Sequence, residues 1–153
     1  LISGRNPELL IGDLVKAAPF LKCSNLEIIP TGYILIDGGK QTSVEYMSNT
    51  RPIPADKYDI AVATALAGEM LGLKQLYLDA GSGAGSPVPP EMINEVRRNT
   101  DLPLIIGGGL KSSENIYAAC KSGADMIVLG SIFESDGEKL PEYGKIVHQC
   151  VTS

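Results

Sequence analysis

Apolar positions along this chain change period repeatedly, and each change marks an element. From Pro7 to about Leu21, Leu10, Leu14, Ala17, Ala18 and Leu21 recur at helical spacing. Asn6 is placed as its N-cap and Pro7 as its first helical residue. Ahead of them, Leu1-Ile2-Ser3-Gly4 looks like the tail of a strand, so the chain is expected to begin inside a fold, with residues upstream missing. Next, Leu26-Glu27-Ile28-Ile29-Pro30 reads as a strand running into Thr31-Gly32, and a second extended stretch, Tyr33 to Asp37, ends at the Gly38-Gly39 turn. Residues 40–55 are polar, contain Pro52 and Pro54, and read as a long ordered loop, a kind that tends to be functional or disordered. Asp56 through Leu71 carries apolar residues around most of its circumference and predicts a buried helix.

The second half keeps a steadier rhythm. Leu76 to Gly81 is a strand with a glycine exit, and Pro89-Pro90 opens a helix with Met92, Ile93 and Val96 toward the core. Leu104–Ile106 is the next strand. Ser112 caps a helix that stops at Gly123, Met126–Leu129 is a strand, and a last helix occupies roughly Lys139–Val151. Apolar strands without alternation, each followed by a helix, indicate an α/β fold with a parallel sheet covered on both faces. Four such units plus the end of a fifth strand fit about the C-terminal five-eighths of a (β/α)8 TIM-type barrel, as a single domain over residues 1–153. The alternative, an open doubly wound sheet, lacks a G-x-G-x-x-G after the first strand.

Charge and cysteine usage narrow the partners. The net charge is −5 with no Lys/Arg cluster, which argues against nucleic acid and against a polybasic membrane anchor. No apolar run reaches the ~18 residues of a membrane span, so no integral membrane segment is expected. Cys23, Cys120 and Cys150 are odd in number and lack metal-type spacing. They are expected to be reduced, partly buried thiols of a cytoplasmic protein. His148 is the only histidine and sits in the last helix, away from the glycine loops. Ser-His-Asp, Cys-His and multi-histidine zinc chemistry are thereby set aside.

The candidate chemistry lies at strand ends. Leu104-Ile105-Ile106-Gly107-Gly108-Gly109 and Met126-Ile127-Val128-Leu129-Gly130-Ser131 are short apolar runs that stop at small residues before a helix. Ligands of parallel α/β folds bind at such junctions, and glycines let backbone N–H groups approach an anion. The pair predicts one phosphate site. A third group, Tyr77-Leu78-Asp79-Ala80-Gly81-Ser82-Gly83, puts Tyr77 and Asp79 on one side of a strand, facing a barrel interior near its mouth. A carboxylate beside a phenol can hydrogen-bond the hydroxyls of a polyol or take a proton from one; alternatively, Asp79 caps its own loop.

Ser3-Gly4-Arg5-Asn6-Pro7, Ile29 to Leu35, Ser43-Val44-Glu45, Asn49 to Pro54, Tyr77 to Ala84, Gly107 to Gly109 and Gly130-Ser131, taken in order, closely resemble the geranylgeranylglyceryl phosphate synthase family, prenyltransferases with bacterial heptaprenyl relatives. The resemblance implies a modified (β/α)8 barrel that uses Mg²⁺ to join a prenyl diphosphate to the C3 hydroxyl of sn-glycerol 1-phosphate, forming the first ether bond of archaeal membrane lipids. By position it makes Tyr77 and Asp79 the holders of the glycerol hydroxyls, with Asp79 the candidate base. It includes Leu78, Ala80, Gly81, Ser82 and Gly83 in that contact. Gly108, Gly109, Gly130 and Ser131 are assigned to the phosphate. Tyr33 lines a prenyl or glycerol pocket, or else packs in the core. The family pattern has Glu where this chain has Asp79, one methylene shorter, so either the backbone closes the gap or a water bridges it. The family's Mg²⁺ ligands are expected in the missing N-terminal part. A homo-oligomer is expected by resemblance. Two other readings stand beside this one: a phosphate-binding barrel of isomerase or lyase type, and a non-catalytic phosphate-binding fragment.

Overall fold

Each strand pairs in parallel with the one before it, and a helix carries the chain across to the next. The computed structural model describes residues 7–130, 132, 133 and 137–151. The elements are α1 (Pro7–Cys23), β1 (Thr31–Leu35), α2 (Ser43–Ser48), α3 (Tyr58–Met70), β2 (Gln75–Asp79), α4 (Pro90–Asn99), β3 (Leu104–Gly107), α5 (Ser113–Lys121), β4 (Met126–Val128), a 3₁₀ turn (Gly137–Lys139) and α6 (Leu140–Val151). The four strands stand in the order β1-β2-β3-β4. A doubly wound sheet reverses its strand order at a switch point; the described strands show no reversal, as in an arc of a barrel. The strand tail expected at Leu1–Gly4 and the Asn6 cap lie outside the described residues.

The register fixes what can meet. Tyr33 pairs with Tyr77, and Tyr77 with Ile105. One step on, Leu35, Asp79, Gly107 and Val128 form a single row across the sheet at its C-terminal end. Ile34, Leu76, Leu78, Leu104 and Ile106 point to the helix-covered face and are fully buried. There they pack with Ala61 and Ala65 of α3, Met92, Ile93 and Val96 of α4, and Ile116 and Ala119 of α5 in one core. On the other face Ile105 is buried, whereas Met126 and Val128 of β4 are 42% and 44% exposed.

Four expectations are corrected. Leu26–Pro30 is not a strand: Leu26, Ile28 and Ile29 are exposed, and pairing begins at Thr31, opposite Gln75. Of its backbone, the Pro30 carbonyl accepts from Lys74 N at 2.8 Å, and the Ile29 carbonyl accepts from the neighbouring Thr31 hydroxyl at 3.0 Å. Residues 40–55 are not loop throughout. Thr42 caps α2 by accepting from Glu45 N at 3.4 Å, and Asn49 ends it in the left-handed region at φ 49°. The segment then returns to the sheet, where Ile53 bridges Ile36 in parallel. Helix α3 is not buried all round: its core face is the small-residue row Ala61, Ala65 and Gly68, and Ile60, Met70 and the adjoining Leu71 are exposed. Small side chains let the helix approach the sheet closely, and its outward apolar residues remain in solvent. Finally, Cys23 is exposed; Cys120 and Cys150 are half-buried, and all three are free thiols.

Candidate functional site

Period-2 alternation lifts Tyr33, Tyr77 and Asp79 off the core face and onto the opposite face of the sheet, as expected for the last two. The Tyr33 and Tyr77 rings meet edge to face, with centroids 5.1 Å apart and planes at 71°. The Tyr33 hydroxyl donates to Asp79 Oδ2. Asp79 Oδ1 accepts the Gly81 N–H at 2.8 Å, so Asp79 does cap its own loop, yet it also faces the cavity described below. Its carboxylate is therefore held at both oxygens while keeping lone pairs free for a ligand.

The glycines around it allow close approach. A Cβ on Gly107 would stand 2.8 Å from Tyr77 Cε2, so the Tyr77 ring lies across a residue that has no side chain. Gly108, at φ +75°, brings the loop after β3 against the loop after β2; a Cβ there would fall 2.5 Å from Asp79 Oδ1 and 2.7 Å from Ala80 N. Ala80 N donates to Gly107 O at 3.1 Å, locking the two strand exits together.

Between these exits lies a cavity of about 130 Å³, lined by Tyr77, Asp79, Ser82, Gly108, Gly109, Leu110, Val128, Leu129 and Gly130. This is small for a drug-sized molecule and suits a compact polar ligand. Six of the expected residues are thus brought together: Tyr77, Asp79, Ser82, Gly108, Gly109 and Gly130. Leu78 and Ala80 are not part of the wall, because alternation turns their side chains into the helix-facing core. Gly81 is buried behind it, where Thr42 Cγ2 would meet its Cβ at 2.6 Å, and Gly83 sits outside, exposed, at φ +77°. Ser131 lies outside the described residues. Sequence reasoning missed the apolar wall of Leu110, Val128 and Leu129, and the Thr42 support. It left Tyr33 between two roles; Tyr33 is half-buried and is not among the lining residues.

Electrostatically the site combines one carboxylate with protonated phenols. Burial first, and then the hydrogen bond and charge of Asp79, hold the Tyr33 hydroxyl well above the usual phenol range. Burial, and then the charge of Asp79, push Tyr77 up to about 12. Both hydroxyls are donors at neutral pH. Candidate metal ligands are sparse among the described residues. No three His, Cys, Asp or Glu side chains gather among them, and Asp79 is the one carboxylate among the described lining residues.

The fold is shared with known proteins. A model of the PcrB family matches residues 1–148, and the chain belongs to that family. It is similar to geranylgeranylglyceryl phosphate synthase of Spirosoma linguale (56% identity over 97% of this chain and 60% of that protein). The enzyme of the same name from Thermococcus kodakarensis is 44% identical over 95% of this chain and 59% of its own length. Among solved structures, (S)-3-O-geranylgeranylglyceryl phosphate synthase from Thermoplasma acidophilum, in complex with its substrate sn-glycerol-1-phosphate, superposes with a TM-score of 0.88. Its identity is 33%, covering 97% of this chain and 59% of that one. The resemblance read from the motifs and the partial-barrel fold are both borne out. The chain spans about 60% of the length of the relatives it matches.

Proposed function

We propose that this PcrB-family chain forms the glycerol phosphate half of a prenyltransferase site, one that transfers a geranylgeranyl group from its diphosphate to the C3 hydroxyl of sn-glycerol 1-phosphate. One observation carries the reading: a fixed carboxylate and a phenol face glycine backbone across a cavity sized for a small polar ligand. A polyol phosphate has the matching chemistry. Asp79 would accept hydrogen bonds from the glycerol hydroxyls, and Tyr77 would donate one. The backbone of Gly108, Gly109 and Gly130, with the Ser131 hydroxyl, would take the phosphate. In transfer, the C3 oxygen would form its bond to prenyl C1 as the C1–O bond to pyrophosphate breaks, and Asp79 would receive the hydroxyl proton. Support also comes from the Thermoplasma acidophilum structure, solved with sn-glycerol-1-phosphate.

Isomerase or lyase chemistry would call for a second acid/base group. Among the described lining residues only Asp79 carries a carboxylate, which disfavours that reading. A binding-only role is the second reading, favoured by the lack of a metal-ligand cluster among the described residues. Mg²⁺ binding near the diphosphate, formation of the archaeal ether bond, assembly into a homo-oligomer and residence in the cytoplasm are part of the proposal. The last rests on three free thiols. Among the described residues no helix is long and apolar enough to cross a membrane.

Calorimetric titration of the folded chain with sn-glycerol 1-phosphate and with its sn-3 enantiomer tests the site. Preference for the sn-1 form is expected; a folded sample that binds neither overturns the proposal. Labelled geranylgeranyl diphosphate, added with and without Mg²⁺, then separates transfer from binding alone.

A further inference from the structure

We infer that Tyr33 is neither a pocket wall nor core filling but the positioning residue of Asp79, setting the carboxylate's orientation and through it the site's choice of glycerol phosphate enantiomer. The inference rests on the functional reading above. Four observations converge on it. Tyr33 is not among the described residues that line the cavity beside Asp79. Its hydroxyl donates to Asp79 Oδ2, the oxygen that Gly81 N–H leaves unclaimed. Its ring is fixed by the edge-to-face contact with Tyr77, which in turn lies across the bare Cα of Gly107. And Tyr33 sits on β1, the neighbouring strand, in register with Tyr77, so the donor is carried by a rigid element and not by a loop.

The two donors do different work. Gly81 N–H belongs to the loop that follows β2 and would move with it. The Tyr33 hydroxyl ties the same carboxylate to another strand, so Asp79 cannot rotate about χ2 without losing a charge-assisted hydrogen bond. Discrimination between mirror-image glycerol phosphates requires the carboxylate, the Tyr77 phenol and the phosphate loops to hold fixed relative positions. Freeing the carboxylate therefore weakens the correct enantiomer more than the wrong one.

Tyr33→Phe keeps the ring, its packing and the fold, and removes only the hydroxyl. Titrated with sn-glycerol 1-phosphate, it should show about tenfold weaker binding, as expected for a hydrogen bond to a charged group, and a reduced preference over the sn-3 form. In an Asp79→Asn background the same change should alter residual affinity less than twofold. A purely structural role would give the same loss in both backgrounds. The exposed Tyr46→Phe is the control and should bind as wild type. As a readout independent of function, ¹³C NMR of tyrosine labelled at Cζ should show the Tyr33 resonance shifted at neutral pH in Asp79→Asn, where the hydroxyl has lost its carboxylate acceptor. Unchanged affinity and enantiomer preference in Tyr33→Phe overturn the inference and leave the functional reading standing. Failure of the folded wild-type chain to bind either enantiomer overturns both.

Discussion

Alanine at Gly108 separates backbone strain from steric overlap at the heart of the site. Gly108 sits at φ +75°, where a side chain costs about 1–2 kcal/mol. Its Cβ would also lie 2.5 Å from Asp79 Oδ1 and 2.7 Å from Ala80 N, both closer than real contacts, and Ala80 N is backbone that cannot swing away. Relieving such overlap typically adds about 1–3 kcal/mol, for a total of about 2–5 kcal/mol. Gly72→Ala is the matched control: φ is +79°, but nothing lies within 4 Å of the added Cβ, so only the dihedral cost applies. At about 2–4 °C per kcal/mol for a chain of this size, Gly72→Ala should lower the melting temperature by roughly 2–8 °C and Gly108→Ala by roughly 4–20 °C. Thermal unfolding followed by circular dichroism reads both, and titration with sn-glycerol 1-phosphate reads the site. Gly108→Ala should abolish binding because it displaces Asp79, while Gly72→Ala should leave it intact. Equal melting shifts in the two variants would refute the overlap reasoning, and retained binding in Gly108→Ala would refute the placement of the loop.

Further outcomes follow from other contacts. Asp79→Asn should remain folded while weakening sn-glycerol 1-phosphate at least tenfold in calorimetry, since an amide keeps a single oxygen and turns its NH₂ toward one of the two donors, Gly81 N–H or Tyr33 O–H. Arg97→Ala should lower the urea-unfolding free energy by about 2–3 kcal/mol, because its guanidinium holds the carbonyls of Thr100 and Leu102 ahead of β3 as well as pairing with Asp125. That partly exposed ion pair contributes little alone, and Arg97→Lys should rescue poorly for want of a planar fork. Alkaline pH should destabilise the fold. Burial, with the neighbouring Cys150, raises Cys120 to about 11, and Tyr77 stands at about 12. The unfolded chain releases these protons first, so stability present below about pH 9 is lost as pH rises toward 12. Urea midpoints at pH 8 and pH 10.5 check the sign, and a higher midpoint at pH 10.5 would contradict it.

The parts of the fold legible in the sequence were those with a strong local signal. Leu104–Gly107 is apolar throughout because both its faces are covered, and all four of its residues are buried. Ser112 announces α5 and accepts from Asn115 N as an N-cap should. Helix α2 carries a weaker signal: Thr42 and Glu45 stand at capping-box spacing inside a segment whose prolines read as loop. Leu26–Pro30 failed for a different reason. Hydrophobicity and β-branching describe a strand, but pairing needs a partner, and β2 begins only at Gln75, opposite Thr31. At the site, alternation along one strand identified Tyr77 with Asp79, and glycines identified the loops. Leu110 and Val128 carry no chemical signature; sheet register brings Val128 into the wall opposite Gly107, and Leu110 reaches it from the loop after β3. Tyr33 was undecidable for the same reason, since its bond to Asp79 joins residues 46 apart.

That cross-strand dependence also separates where the protein is stable from where it acts. Along β1 and β2, Ile34, Leu76 and Leu78 bury into the helix layer, while Tyr33, Tyr77 and Asp79 occupy the alternate positions on the other face. Truncating Leu78 to Ala removes a fully buried side chain and should cost about 2–5 kcal/mol, whereas Tyr33→Phe removes one hydroxyl and keeps the ring contact. Two residues one register step apart thus answer to different measurements, the first to unfolding and the second to ligand selectivity. The coupling between the two faces runs through the backbone: the strand that the core holds straight is the strand that sets Asp79 beside Gly107. A core variant such as Leu78→Ala should therefore weaken sn-glycerol 1-phosphate only in proportion to the unfolded fraction. If it lost affinity while fully folded, the two faces would not be separable, and the positioning assigned to Tyr33 would have to be shared with the core.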